Sequence, residues 1–204
     1  MVKVGFIVEG DTEKLIVESS AFVAWLVANG ITLVNPVVNA KGGGNLLPQN
    51  IGPFIATLQQ AQAEHIVILT DLENEASPAD VRTRIGQQHT NLIFIAVKAI
   101  EAWFLADTQA LRQWLKIDTV EEPTPEQTLG MPWERLKEIA RENNKRGPGD
   151  NKLIFAKRMI KHYGFTVSNA AQHSNCPSVV EFADGIVALG NTEKIIASDD
   201  SGHN

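Results

Sequence analysis

The chain has a single cysteine, Cys176, in 204 residues. An intramolecular disulfide is therefore impossible, a Cys-rich zinc module is excluded, and a reducing compartment is expected. Long apolar runs are also missing. The stretch from Ile93 to Ile100 is interrupted by Lys98, far short of the roughly 20 residues a membrane-spanning helix needs. The first residues lack the basic and apolar character of a secretory leader and pass straight into a strand pattern, so the expected setting is cytoplasmic, with no membrane partner. No G-x-S-x-G is present to support an α/β-hydrolase serine. The histidines at 65, 89, 162, 173 and 203 form no H-E-x-x-H and no cluster with ligand spacing. There is no Walker motif, no internal repeat and no low-complexity tract.

What remains suits one substantial domain or a core with an appended lobe: 44% of residues are hydrophobic, enough to bury a core. The net charge of −6 is unevenly spread. Between Arg135 and Lys161 nine Lys/Arg face three acids, a local +6 that leaves −12 on the rest. Such asymmetry suits a phosphate-tracking face, although a solvated helix of mixed charge gives the same count.

Apolar, β-rich runs at 3–8, 31–38 (edged by Pro36), 66–69 and 92–97 alternate with helical periodicities at 12–28, 50–62 and from Ser77-Pro78 onward. Strand alternating with helix predicts an α/β fold, a three-layer sandwich on a mainly parallel sheet of about four strands. Beyond Ala99 the pattern turns helical: 100–114, 133–143, 152–163 and 178–189, with a Pro-bearing linker over 118–132. The expected division is an α/β core over 1–107, a helical lobe packed on it over 108–192, and a flexible tail over 193–204.

Acids gather where strands stop. The first ends in Glu9-Gly10-Asp11-Thr12-Glu13 and the third in Asp71-Leu72-Glu73. If both strands are central and parallel, these ends lie roughly 5–10 Å apart, given the ~4.8 Å strand spacing, at the sheet edge where ligands bind. Carboxylates that close must be protonated, paired or bound to a cation. Neither neighbourhood holds an arginine, and oxygen ligands without His or Cys point to Mg²⁺ or Mn²⁺. The competing assignment makes Asp11 or Thr12 the N-cap of the first helix, Glu13 its capping partner and Asp71 another N-cap. Glu13 stays open between the two roles.

An apolar strand ending in Glu-Gly-x-Thr-Glu, followed by a strand ending in Asp-x-Asp or Asp-x-Glu, resembles the TOPRIM domain, in its OLD-like nuclease branch. The chain is similar in particular to small bacterial TOPRIM-like proteins through Lys41-Gly42-Gly43-Gly44-Asn45, Glu101-Ala102-Trp103-Phe104-Leu105-Ala106-Asp107 and Cys176-Pro177-Ser178. The resemblance covers roughly residues 3–189. It implies a divalent-metal-dependent phosphodiesterase acting on nucleic acid, of the kind used in phage defence, with a separate ATPase subunit as a further partner. Carried over by position, it implies Glu9, Asp71 and Glu73 as catalytic metal ligands, with Glu standing where a second Asp is usual, and Glu13 and Glu101 as supports for a second ion. It also implies a charge-stabilising lysine, with Lys152 first and Lys157 in reserve. Lys41 and Gly43 are candidates for phosphate contact through a backbone nest. Two alternatives accompany the nuclease: a TOPRIM-like regulatory subunit that binds metal or nucleic acid without cleaving, and a small-molecule phosphohydrolase. His173 and Cys176, close in sequence, hint at a thiol site, and the four tryptophans are expected in the core.

Overall fold

The structure is a computed structural model and describes residues 1–86 and 92–199. The elements run β1 (Val2–Val8), α1 (Asp11–Val17), α2 (Ser20–Ala28), β2 (Ile31–Leu33), β3 (Val38–Asn39), α3 (Gly52–Gln60), β4 (His65–Asp71), α4 (Pro78–Ile85) and β5 (Leu92–Ala96). After them come α5 (Glu101–Ala106), α6 (Thr108–Leu115), α7 (Pro132–Glu142), α8 (Lys152–His162), α9 (Val167–Ala170) and α10 (Pro177–Asp199).

The sheet is parallel throughout, in the order β2-β1-β4-β5, with β3 also pairing with β1. It has five strands rather than four because the expected 31–38 strand parts around Pro36 into β2 and β3, both on the same edge of β1. Both faces are covered, which is why the strands read as nearly unbroken apolar runs. Val4, Phe6, Val8, Val67, Leu69 and Phe94 face one cluster, whereas Ile7, Ile66, Ile68, Ile93 and Ile95 face the other.

Two long helices expected from periodicity are each broken by a cap. The 12–28 helix divides at Ser19, whose hydroxyl accepts the Phe22 N–H at 3.2 Å and donates to the Ile16 carbonyl. The 100–114 helix divides at Asp107, which accepts the Ala110 N–H at 2.9 Å and the Thr166 N–H at 3.0 Å. Burial holds the Asp107 carboxyl above its usual range against those hydrogen bonds.

The last helix, expected to stop near Leu189, runs on to Asp199, through part of the tail expected from 193; residues 200–204 lie outside the described ones. It lies on the sheet itself. Phe182 packs on Phe6, Phe22, Phe94 and Trp103, with centroid distances of 5.2–6.5 Å. At Gly190 the approach is closest, since a Cβ there would lie 1.8 Å from the Asn29 carbonyl oxygen. The same apolar cluster continues into the lobe through Trp114, Trp133 and Phe155, so sheet and lobe share one core.

Candidate functional site

Pairing of β1 with β4 sets Val8 opposite Leu69, and the Glu9 N–H continues the ladder to the Leu69 carbonyl at 3.0 Å. The acid that ends β1 therefore lies beside Thr70 and Asp71, which end β4. Glu9 Oε2 accepts the Thr70 hydroxyl and, at 3.2 Å, the Asp71 N–H. Its Oε1 accepts the Gly43 N–H at 3.1 Å. These donors lock the Glu9 side chain from one strand, β4, and the loop at Gly43.

Three further acids join it. Glu13 sits in the first turn of α1, buried, and folds back toward the N-terminus of its own helix: a Cβ on Gly10 would be 2.9 Å from Glu13 Oε2. Gly10 is the N-cap, so the role suggested for Asp11 or Thr12 falls to a residue with no side chain of its own to cap with. Burial pushes the Glu13 carboxyl up to about 7; backbone N–H groups of Glu13 and Gly10 oppose this, and the charges of Glu9 and Glu101 add to it. Asp71 accepts the Ile100 N–H at 2.8 Å through Oδ1. It thus caps α5 from the neighbouring strand, not a helix of its own segment. Its pKa is raised well above the ordinary carboxylate value, first by burial and then by the charges of Glu13, Glu101 and Glu9. Glu101, on the first turn of α5, is 3% exposed, and its Oε2 is buried with no hydrogen-bond partner. Its Oε1 pairs with Lys152 Nζ at 3.1 Å. Lys152 is the first residue of α8, a helix capped by Asn151 on the Ile154 N–H.

Five of the nominated residues, Glu9, Glu13, Asp71, Glu101 and Lys152, thus meet at one end of the sheet. Glu73 does not. After Asp71 the chain follows the extension of β5, with Leu72 N–H on the Ala96 carbonyl and Glu73 N–H on the Lys98 carbonyl. Glu73 then turns with φ +51° and is exposed, and its charge is not among the largest acting on Asp71 and Glu13. Lys41 pairs with Asp11 at 2.8 Å, and the Gly43 N–H, expected to face a phosphate, is committed to Glu9. Lys157 lines a groove with Leu15, Ser19 and Lys161.

The expectation that no arginine lies near the strand ends is corrected by Arg84 of α4. Its Nη2 and Glu9 Oε1 both lie within 3.6 Å of the point a Cβ on Gly43 would occupy, while Nη1 pairs with Glu75 at 2.8 Å. Thr70 was also missed; its one signal is its place beside Asp71 at a strand end. The later motifs serve packing. Trp103 Nε1 donates to Ser178 Oγ at 2.9 Å, and Glu126 accepts the Ser178 N–H and the Cys176 thiol. Burial and Glu126 raise the Cys176 pKa, and the His173 ring contacts the Glu122 carbonyl, so the two form no thiol site. His89 and His203 lie outside the described residues.

The cluster fits a hard divalent cation in donor chemistry: four carboxylates, oxygen only, with one buried oxygen lacking any partner. As the side chains are placed, no group of three or more His, Cys, Asp or Glu among the described residues is arranged to hold a metal ion. Comparison with protein-family models, with curated proteins and with solved structures finds no match.

Proposed function

We propose that this chain is a divalent-metal-dependent phosphodiesterase acting on nucleic acid, working at the shared end of β1 and β4. One observation carries it: four carboxylates from β1, α1, β4 and α5 gather in partial burial, with Lys152 as the ion-pair partner found among the described residues. Like charges brought so close are costly unless protonated or bound to a cation, and strongly perturbed titrating groups cluster at functional sites.

Glu9, Glu13, Asp71 and Glu101 are the residues that would hold Mg²⁺ or Mn²⁺, and Glu73 is left outside the set. A bound ion of this kind polarises a phosphoryl oxygen and makes water a better nucleophile at neutral pH. The chain itself contributes orientation and charge. Thr70 and Gly43 fix the Glu9 carboxylate, the Ile100 N–H fixes Asp71, and Lys152 brings a half-exposed ammonium to the rim where a phosphate would approach. The TOPRIM and OLD-like resemblance, the defence setting and a separate ATPase partner belong to the same proposal.

The test incubates the pure protein with plasmid, single-stranded DNA and RNA in Mg²⁺ or Mn²⁺, beside Glu9→Gln and Asp71→Asn. Cleavage that both variants abolish is the expected result; equal cleavage by all three proteins overturns the proposal. A second reading, a metal-holding subunit that binds nucleic acid without cutting it, is favoured by the exposed position of Glu73 outside the cluster. Calorimetric metal binding with no cleavage of any polymer selects it.

A further inference from the structure

Three of the nine basic residues between 135 and 161 are already paired with acids. Arg135 pairs with Glu122, Glu138 and Glu142, Lys137 with Glu134 and Lys152 with Glu101. One place differs. A cavity of about 260 Å³ opens between the C-terminal end of α6, the loop after α7 and the second half of α8, lined chiefly by Trp114, Lys116, Lys145, Arg146, Arg158 and Tyr163. Its lining contains no acid, and none of its four cations takes part in an ion pair found among the described residues.

Lysines beyond helix C-termini are ordinary complements to the helix dipole, which accounts for Lys116 and Lys145. Arg158 is different. It lies within α8, its Nη2 donates to the Pro148 carbonyl, and its guanidinium sits 5.7 Å from the Phe155 ring centroid. Its Nε is buried without a hydrogen-bond partner. A guanidinium held rigidly, partly desolvated and facing no carboxylate is costly alone, and an entering anion supplies the missing counter-charge. Arginine's planar fork suits phosphate oxygens. The volume is just below the roughly 300–1,000 Å³ of sites for drug-sized ligands, so it suits a phosphate with its attached sugar.

We infer that this cleft is a phosphate-binding site for a nucleotide, either free or as one unit of a polynucleotide strand. The site shares no lining residue with the acid cluster and does not depend on it, although α8 links them: Arg158 lies about 9 Å along the helix axis from Lys152, at ~1.5 Å per residue.

The experiment titrates the full chain in EDTA with a nucleoside 5′-monophosphate, the same nucleoside without phosphate, and a short single-stranded oligonucleotide. Lys145→Glu/Arg146→Glu is compared with Lys157→Glu/Lys161→Glu, an equal charge change outside the cleft, and with Glu9→Gln. The expected result is that phosphate-bearing probes bind and the nucleoside does not. Affinity should fall about tenfold or more in the cleft variant and change by less than about threefold in the other two, since each lost phosphate contact removes a discrete share of electrostatic affinity. Monophosphate binding identifies a free nucleotide as sufficient; binding of the oligonucleotide alone identifies the strand. Failure of both phosphate probes to bind, or equal loss in both charge-reversed variants, overturns the inference. Loss of cleavage in Glu9→Gln with binding intact keeps the two sites separate.

Discussion

Asp71 Oδ1 accepts the backbone N–H of Ile100 at 2.8 Å, so the acid that closes β4 also sets the first turn of α5, the turn that carries Glu101. One carboxyl therefore has two duties, a neutral structural one through its acceptor oxygen and an electrostatic one through its charge. Asp71→Asn separates them. The amide oxygen can keep the cap, and the lost charge relieves repulsion from Glu13, Glu101 and Glu9. In EDTA at neutral pH, Asp71→Asn is expected to melt at or above the wild-type temperature, whereas Asp71→Ala forfeits a cap worth about 1 kcal/mol. Metal affinity by calorimetry should fall in both.

Glu13 makes stability depend on pH. Its folded carboxyl titrates at about 7 against an ordinary 4.5, so the folded chain holds the proton more tightly than the unfolded one. That contribution is fully present below the unfolded value and is lost as pH rises through about 7. Asp71, raised for the same reasons, acts in the same direction. Without metal, the wild type should lose up to roughly 3 kcal/mol between about pH 5 and pH 8, at about 1.4 kcal/mol per tenfold change in proton affinity. Glu13→Gln should lose distinctly less. Urea midpoints across this window check both, and an equal slope in the two proteins refutes the assignment.

Metal entry should release protons, because Glu13, one of the acids it joins, titrates at about 7. Titrating Mg²⁺ or Mn²⁺ at about pH 7 in two buffers of different ionisation enthalpy should give different apparent binding heats. Saturating metal at a hundredfold excess over its dissociation constant should stabilise the fold by about 2.7 kcal/mol. Identical heats in both buffers would sink the linkage.

Removing Lys152 leaves Glu101 with neither oxygen partnered by a cation. Because Lys152 is 49% exposed, water screens the pair, and Lys152→Met is expected to cost roughly 1–2 kcal/mol rather than the 3–5 typical of a fully buried pair. Adding Glu101→Gln should recover most of that loss in thermal melts. Cleavage should remain low in the double variant, which separates charge repair from function.

Gly190 tests how α10 is seated. A Cβ there meets the Asn29 carbonyl oxygen at 1.8 Å, and that oxygen belongs to backbone, so the helix itself must shift. Gly190→Ala should destabilise by about 1–3 kcal/mol through overpacking, read as a lower urea midpoint with metal-site residues unchanged.

Much of the candidate site was legible because strand ends are legible. A short apolar run that breaks into acids places Glu9 and Asp71 without any knowledge of register, whereas Glu101, four residues beyond the fourth run, was nominated through the family resemblance. Glu73 was misplaced because spacing alone cannot say where a chain turns; the Lys98 carbonyl draws its N–H along the β5 side and the side chain to the surface. Thr70 and Arg84 stayed invisible since their nearness to Glu9 comes from the β1/β4 register and from how α4 packs. The broken helices escaped for a different reason. Ser19 and Asp107 interrupt apolar periodicity without disturbing it, so the pattern ran through both caps. In the Cys176-Pro177-Ser178 and Glu101–Asp107 stretches, motif and chemistry partly diverge, for Trp103 and Ser178 hold each other in the core.

The seating of Phe182 on Phe6 and Phe22 also has a timetable. The first strand and its helix leave the ribosome some 160 residues before the aromatic ring that covers them, which at about 5–20 residues per second is roughly 8–32 s of translation. Through that interval the part of the sheet face that Phe182 covers lacks that cover and is open to chaperones or to other unfinished chains. Yield in cells should therefore respond to synthesis speed and holding chaperones more than to the stability of the finished fold.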